Sequence, residues 1–274
     1  MSDYRRELVL AGTFAVVLLA ATAAAPMIGD ARPAFEIPVT QASEDADLGN
    51  VSAQTWTEIP AATLSLSSAG ASVPAADDTT VERATLAAAQ TDEQLYLRLS
   101  WGDKTRDRST SSLRLFADAV AVQLPTNTSV RPPIAMGSPN NPVNVWYWSA
   151  ANSTEELIAG GPGSTTPFDQ TQVATDATYS DGRWHVVVSR SLDAPGTNRT
   201  TIPGDADMDL AVAVWNGSNM ERSGQKSASD WHYLALGPGP QGPPYETILW
   251  VIAGLGIVVS ALVTVEGVRR TRGE

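Results

Sequence analysis

Lys226 has the most unusual chemical setting of any residue in this chain. The sequence of 274 residues contains only two lysines, Lys104 and Lys226, and uses arginine for the rest of its basic charge. An amine that loses its proton can donate a lone pair to a metal, whereas the guanidinium of arginine stays protonated in proteins. Lys226 is therefore a candidate metal ligand.

Few other soft or borderline ligands accompany Lys226. Cysteine is absent, which excludes disulfides, iron–sulfur ligation, thiolate catalysis and covalent attachment of a c-type haem. Neither of the two histidines, His185 and His232, falls in a nucleophile or metalloprotease motif, so hydrolysis is not indicated. Met136 lies in a loop rich in Pro and Gly that would present its thioether, although a methionine in a loop more often fills a packing gap.

Short alternating runs predict the strands that must position these side chains. Hydrophobic residues recur with a period of two in 94–101, 143–148, 184–188 and 210–214, and aromatic residues are frequent in them. The turns Asp92-Glu93 and Ser180-Asp-Gly182 predict two hairpins. The middle of the chain is therefore predicted to be all-β, an antiparallel two-sheet β-sandwich.

Three segments of this middle region are predicted to lack regular structure. Residues 125–142, which include Met136, and residues 150–167 are rich in Pro, Gly, Asn and Ser and are predicted to be long loops. Residues 61–78 are of low complexity and are predicted to be an irregular, solvated excursion.

Both ends of the chain have membrane character. Residues 1–27 predict a signal peptide or N-terminal anchor, with paired arginines before an apolar run. Residues 28–236 form the predicted domain, 237–247 a Pro/Gly linker, 248–265 a transmembrane helix and 266–274 a cytoplasmic tail. Arginines flank both apolar runs, so the positive-inside rule predicts a cell-membrane protein whose domain lies on the extracellular side.

Composition limits the classes of molecule that the domain is expected to bind. Acidic residues number 30 against 18 basic ones, which is typical of proteins that stay soluble in high salt and predicts a halophilic source. The same balance argues against nucleic-acid binding, which requires a basic footprint. Five Asn-x-Ser/Thr sequons, which begin at residues 50, 127, 152, 198 and 216, predict an exported glycoprotein.

Two segments carry a resemblance to a known family. The stretches 134–150, with Met-Gly-Ser-Pro-Asn-Asn-Pro-Val-Asn-Val-Trp-Tyr-Trp at its centre, and 212–227, with Val-Trp-Asn-Gly-Ser-Asn-Met-Glu-Arg-Ser-Gly-Gln-Lys, resemble the ethylbenzene dehydrogenase gamma-subunit family. The ending Trp-His-Tyr-Leu-Ala-Leu over 231–236 and the hairpin over 87–103 are similar too. The resemblance spans about residues 56–236.

The resemblance implies a β-sandwich that holds one haem b between a methionine and a lysine, which correspond here to Met136 and Lys226. His232 follows Lys226 by six residues and is the rival second ligand. Trp146, Trp148 and Trp215 are candidates to pack against the porphyrin, with ordinary core packing as the alternative, and Arg222 is a candidate partner for a propionate.

The implied function is electron transfer rather than catalysis. We expect a membrane-tethered haem b subunit that relays electrons to or from a molybdopterin catalytic subunit, through an iron–sulfur subunit, in a complex such as a respiratory nitrate reductase. A quinol-linked cytochrome or a Rieske protein is the expected membrane-side partner. The alternative is an exported module without haem that binds carbohydrate or another ligand through its aromatic residues.

Overall fold

A computed structural model describes residues 35–193 and 196–237, together with Gly254 and Gly256. The residues Ala34–Gly239 form one compact unit. The predicted signal segment 1–27, and nearly all of the predicted linker, membrane helix and tail, lie outside the described residues. Within the part of the chain that is described, no helix has the length and apolar character needed to cross a membrane.

The described residues confirm the all-β prediction. Two short 3-10 helices, Gln54–Thr57 and Gly217–Asn219, accompany fourteen strands. The strands are β1 (Glu36–Gln41), β2 (Ala61–Ser65), β3 (Ser67–Ser68), β4 (Arg83–Gln90), β5 (Gln94–Gly102), β6 (Ala119–Pro125), β7 (Val143–Ser149), β8 (Ser153–Ala159), β9 (Thr165–Pro167), β10 (Ala174–Ser180), β11 (Arg183–Ser191), β12 (Met208–Trp215), β13 (Ser227–Ala228) and β14 (His232–Ala235).

All fourteen strands belong to one hydrogen-bonded sheet, and the predicted division into two sheets is not confirmed. The strand order is β10-β11-β5-β4-β1-β14-β12-β6-β7-β8-β9, with β2 added to β4, and β13 placed between β12 and β3. Strand β1 joins the two halves, because Glu36–Pro38 pairs with β14 and Val39–Gln41 pairs with β4, both in parallel. The sheet curls so that its two halves face each other across the core.

The alternation read from the sequence decides which side chains enter that core. Leu95, Leu97, Leu99 and Trp101 of β5 are fully buried in it, as are Val186 and Val188 of β11 and Val212 and Val214 of β12. Both predicted hairpins, β4–β5 and β10–β11, are confirmed by continuous antiparallel pairing.

Two of the three predicted irregular segments were wrong. The segment 150–167 contains β8 and β9, and all seven residues of β8 pair with β7. The segment 61–78 contains β2 and β3. In both cases backbone pairing to a neighbouring strand overrides a composition rich in small and polar residues with weak strand propensity. The segment between β6 and β7, which carries Met136, is a loop as predicted.

A buried ionic cluster fastens the inner side of the half-sheet formed by β6, β7 and β8. Glu156 of β8 accepts hydrogen bonds from Arg190 Nη1 at 3.0 Å and from Arg199 Nε at 2.9 Å. Arg190 also donates to Asn144 Oδ1 of β7 at 2.8 Å and to the Thr200 carbonyl. The side chains of Arg190 and Glu156 are completely buried, so each charge depends on the other for compensation.

Candidate functional site

The structure brings Met136 and Lys226 into direct contact. The Lys226 Nζ atom lies 3.6 Å from the Met136 Sδ atom, although the two residues are 90 positions apart in the sequence. Both side chains are partly buried. The contact brings together two side chains, an amine and a thioether, whose nitrogen and sulfur atoms can each donate to a transition metal.

The backbone around Met136 is held in an uncommon conformation. Met136 and Gly137 adopt left-handed φ values of 62° and 71°, and the first of these is unfavourable for a residue with a side chain. The Met136 carbonyl accepts a hydrogen bond from the Gly161 N–H at 2.9 Å, and Gln123 Nε2 donates to the Ile134 carbonyl at 2.9 Å. These contacts to β6 and to the end of β8 fix the direction of the thioether.

Gly137→Ala is expected to destabilise this loop and displace Met136. A Cβ atom at position 137 would stand 2.7 Å from the Asn141 carbonyl oxygen, and the left-handed backbone is strained for alanine. We expect the free energy of unfolding to fall by about 1–3 kcal/mol, measured by chemical denaturation. Gly163→Ala is the matched control, because Gly163 also has a left-handed φ, of 74°, but has open space around it. An equal loss in both variants would contradict the steric argument.

Strand pairing positions Lys226. The residue directly precedes β13, where Ser227 pairs with Val214 of β12 on one side and with Ser68 of β3 on the other. The Lys226 carbonyl accepts a hydrogen bond from the Ala69 N–H at 3.1 Å. Its backbone is therefore part of the sheet edge, although the strand itself is only two residues long.

The segment that leads to Lys226 is also fastened by side chains. The Trp215 indole donates to the Ser223 carbonyl at 3.1 Å, and Gln225 Nε2 donates to the Asp78 carbonyl at 2.9 Å. Gly224 packs so closely against Ala71 that an added Cβ would stand 2.8 Å from the Ala71 side chain. The Lys226 amine is therefore positioned by a tightly packed loop.

The surroundings of Lys226 favour a neutral amine. Burial lowers the pKa of Lys226 from its ordinary value. Among the described residues no carboxylate forms a salt bridge with it; besides the Met136 sulfur, its Nζ atom faces the Trp215 ring, with 5.2 Å between Nζ and the ring centroid. A partly buried amine without an acidic partner is poorly stabilised as an ammonium ion and well suited to donate its lone pair.

An apolar patch on the outer face of the sheet surrounds the pair. Ala121, Val143, Val145 and Ala159 form its buried part, and Met136, Tyr147, Leu157, Trp215 and Trp231 pack against them. The rings of Tyr147 and Trp215 meet edge to face at a centroid distance of 5.8 Å. This outer patch combines small aliphatic side chains with flat aromatic ones, a lining typical of sites for apolar ligands and cofactors.

Trp146 and Trp148 do not reach this patch. They alternate with Val145 and Tyr147 along β7, so they point to the opposite face and lie in the main core. Trp148 packs edge to face on Trp184 at 5.0 Å, and the Arg190 guanidinium lies 4.9 Å from the Trp146 ring centroid. Of the three tryptophans predicted to contact a porphyrin, the structure brings only Trp215 to the Met136–Lys226 pair.

His232 and Arg222 occupy other surroundings. His232 is buried in β14, its Nδ1 atom lies 3.0 Å from the Asp230 carbonyl oxygen, and its ring packs on Phe35. Arg222 is exposed, donates to the Met220 carbonyl and stacks over the Phe116 ring at 4.8 Å. Within the described residues, neither side chain forms a hydrogen bond, salt bridge or ring contact with Met136 or Lys226.

Sequence reasoning did not single out Tyr147 and Trp231 as site residues. The strand alternation contained the signal for Tyr147, since it places Tyr147 opposite to Trp146 and Trp148. Trp231 belongs to the site through a contact that no local pattern reveals, because its indole donates to the Pro132 carbonyl of the Met136 loop at 3.1 Å.

The fold and the site define an all-β, cysteine-free domain with an amine–thioether pair on an apolar outer face, a class suited to holding a metal-centred cofactor. The chain belongs to the ethylbenzene dehydrogenase family, whose model matches residues 53–168 and 161–227. These ranges contain Met136 and Lys226 as well as Tyr147 and Trp215.

Three relatives support the assignment to this family. A Haloferax mediterranei protein assigned as a respiratory nitrate reductase heme subunit is 48% identical over 98% of both chains. The gamma subunit of chlorate reductase from Ideonella dechloratans is 34% identical over 52% of this chain and 59% of its own length. The gamma subunit of dimethylsulfide dehydrogenase from Rhodovulum sulfidophilum is 33% identical over 57% of this chain and 61% of its own length.

Among solved structures, a family 9 carbohydrate-binding module of Caldicellulosiruptor kristjanssonii in complex with glucose is 13% identical, covers 76% of this chain and 100% of that chain, and has a TM-score of 0.46. A carbohydrate-binding protein of Bacteroides uniformis reaches a TM-score of 0.47 at 8% identity. Likeness at this level supports no statement about the ligand of the present chain.

Proposed function

We propose that this protein is the haem b subunit of a molybdopterin oxidoreductase and that it transfers electrons rather than catalysing the reaction. Membership of the ethylbenzene dehydrogenase family supports the proposal, and so does the heme-subunit relative that matches nearly the whole chain. The single observation that carries it in the structure is the contact between Met136 Sδ and Lys226 Nζ.

The donor set fits the cofactor. Met136 and Lys226 reach toward each other from loops next to different strands, and these two side chains would hold the haem iron. Among the described residues, no carboxylate forms a salt bridge that would hold Lys226 as an ammonium ion, and Met136 is a neutral sulfur donor of the kind that raises haem potentials. We assign these two residues, in preference to His232, as the side chains that would hold the iron.

The residues of the outer patch have distinct tasks in this proposal. Tyr147 and Trp215 supply flat apolar surface beside the ligands, and the small side chains Ala121 and Ala159 line the sheet beneath them. A haem held by both Met136 and Lys226 would have no ligand position open to oxygen. Once bound, it would supply one-electron chemistry.

The place of this subunit in its complex follows from the same proposal. The electrons pass to or from a molybdopterin subunit through an iron–sulfur subunit, and a quinol-linked cytochrome or a Rieske protein is the membrane-side partner. The apolar run 248–265 and the arginines that follow it support a tether that leaves the domain on the outer face of the cell membrane. A respiratory nitrate reductase is the complex favoured by the 48% identical relative.

The absorption spectrum of the full-length protein, purified in detergent and reconstituted with haem, tests this function. We expect one haem b per chain, identified as its pyridine complex, with a Soret band that shifts on reduction and sharp α and β bands of a low-spin iron. Failure to bind stoichiometric haem would contradict the proposal and favour the carbohydrate-binding alternative. Binding assays with immobilised glucans would then test that alternative.

A further inference from the structure

A second cluster of potential ligands lies away from the Met136–Lys226 pair. Carboxylate oxygens of Asp103, Asp107 and Asp118 lie within 4.8 Å of one another. Asp103 directly follows β5 and Asp118 directly precedes β6, so the cluster closes the long connection that crosses from one half of the sheet to the other. We call these three residues the crossover carboxylates.

The negative charge of this cluster has no basic partner in the described part of the chain. Asp118 is fully buried and Asp103 is 5% exposed. Among the described residues, no lysine or arginine forms a salt bridge with any of the three. The nearby Arg106 instead lies over the Trp184 ring, 5.8 Å from its centroid. Buried carboxylates normally have a counter-charge, so a cation is expected here.

One oxygen of the cluster is unsatisfied. Asp103 Oδ1 accepts hydrogen bonds from the backbone N–H and the hydroxyl of Thr105, at 3.0 and 3.1 Å. Asp103 Oδ2 is buried and accepts no hydrogen bond from any described residue. Oδ2 belongs to one of the three crossover carboxylates. A buried anionic oxygen without a donor is costly unless a ligand satisfies it.

The other carboxylates are held in fixed positions. Asp118 Oδ2 accepts from the Trp184 indole and from the Asp107 N–H, both at 2.8 Å, and Asp118 Oδ1 accepts from the Gly217 N–H at 2.8 Å. Burial raises the pKa of Asp118 to about 7, and the charge of Asp103 adds to this, against the opposing effect of these hydrogen bonds. The donors therefore orient Asp118 without neutralising the cluster.

We infer that Asp103, Asp107 and Asp118 bind a Ca²⁺ ion that fastens the β5–β6 crossover. Oxygen-only donors favour hard cations, and Ca²⁺ accepts six to eight oxygen ligands in irregular geometry, whereas Mg²⁺ requires a near-ideal octahedron. The carboxylates come from a loop and two strand ends, with the Thr105 hydroxyl beside them, which is the irregular arrangement that suits Ca²⁺. Water completes the remaining positions.

The site also connects to the loop that carries Lys226. Gly217 begins the 3-10 helix Gly217–Asn219 that follows β12, and its N–H is bonded to Asp118. The next residues along the chain lead to Lys226. A cation bound by the crossover carboxylates therefore supports the start of the ligand loop as well as the crossover itself.

Calorimetric titration of the full-length protein in detergent, after removal of divalent ions with EDTA, tests the inference. With CaCl₂ as the probe, we expect one ion per chain and an increase in melting temperature, with much weaker binding of MgCl₂. Asp103→Asn and Asp107→Asn should each lower the Ca²⁺ affinity by about tenfold or more. Asp107 is only partly buried, so its variant keeps the test valid if Asp103→Asn folds poorly.

Asp92→Asn is the matched control for charge. Asp92 is exposed in the β4–β5 turn. The Asp92→Asn substitution removes one negative charge from a chain of net charge −12, as the Asp103 and Asp107 variants do, but leaves the crossover carboxylates unchanged. The control should bind Ca²⁺ as the wild type does. An equal response to Mg²⁺ and Ca²⁺, or an unchanged affinity in Asp107→Asn, would overturn the inference and indicate general screening of an acidic surface. Failure of haem binding would leave this result unaffected.

Discussion

Lys226→Leu is expected to convert the low-spin haem spectrum of this protein to a high-spin one. Leucine keeps the apolar volume of the lysine stem but has no lone pair, so the iron loses one of its two axial bonds. Loss of a residue that only orients a metal ligand costs about 10- to 100-fold in affinity, and loss of the ligand itself should therefore weaken haem binding at least about tenfold. Absorption and electron paramagnetic resonance spectra measure the spin state, and titration measures the affinity.

The haem-free form of the same variant should fold at least as well as the wild type. Burial lowers the pKa of Lys226, and no salt bridge from the described part of the chain compensates its charge, so its replacement removes an unfavourable group from the apo protein. A simple packing role for Lys226 predicts the reverse, a loss of stability. Denaturation of the apo proteins thus separates ligation from packing.

Three further variants complete this test. Lys104→Leu changes the only other lysine, which is exposed, and should leave the spectrum unchanged. Met136→Leu should also give a high-spin haem, with a lower reduction potential, because the thioether favours ferrous iron. His232→Gln should keep the low-spin spectrum. If His232→Gln loses that spectrum and Lys226→Leu keeps it, the second ligand is His232.

Glu156→Gln is expected to lower the free energy of unfolding by about 3–5 kcal/mol, the usual cost of removing one partner from a buried ion pair. Glu156 is the acidic partner of Arg190, whose side chain is fully buried, and it also binds Arg199. Glutamine has nearly the same shape, so the loss reports the uncompensated charge rather than a cavity. Chemical denaturation at neutral pH measures it.

Glu155→Gln provides the control for this prediction within the same strand. Glu155 is the exposed neighbour of Glu156 in β8, and a surface substitution of this kind changes stability by less than about 0.5 kcal/mol. Equal losses in the two variants would show that the buried cluster does not depend on the charge of Glu156. Because the cluster supports the inner side of β7 and β8, Glu156→Gln should also weaken haem binding on the outer side.

The part of the fold that could be predicted from the sequence was the alternation of hydrophobic residues along individual strands. Alternation in β5, β11 and β12 correctly identified the side chains that face the main core, because successive side chains of a strand point to opposite sides. In β7 the alternation was equally clear, but it did not show which of the two faces of the strand lies in the core. Both faces of β7 are apolar, with Val143, Val145 and Tyr147 on one side and Trp146 and Trp148 on the other. Only the packing against β5 and β11 shows that the tryptophans face inward.

Other features depend on contacts between distant segments. β8 and β9 arise from a polar segment, because β7 offers a free edge for pairing. The crossover carboxylates are ordinary acidic residues in the sequence, and they meet because β5 and β6 belong to opposite halves of one curled sheet.

By itself, the sequence determined which chemical groups are available: one uncommon amine, one loop thioether, no thiol, and an all-β framework around them. The tertiary structure alone decided that Lys226 and Met136 face each other, and that Tyr147 and Trp215, rather than Trp146 and Trp148, lie beside them. The physical reason is that side-chain identity and strand periodicity are local properties. The direction of a loop residue is instead set by long-range hydrogen bonds, here from Gly161 to Met136 and from Ala69 to Lys226.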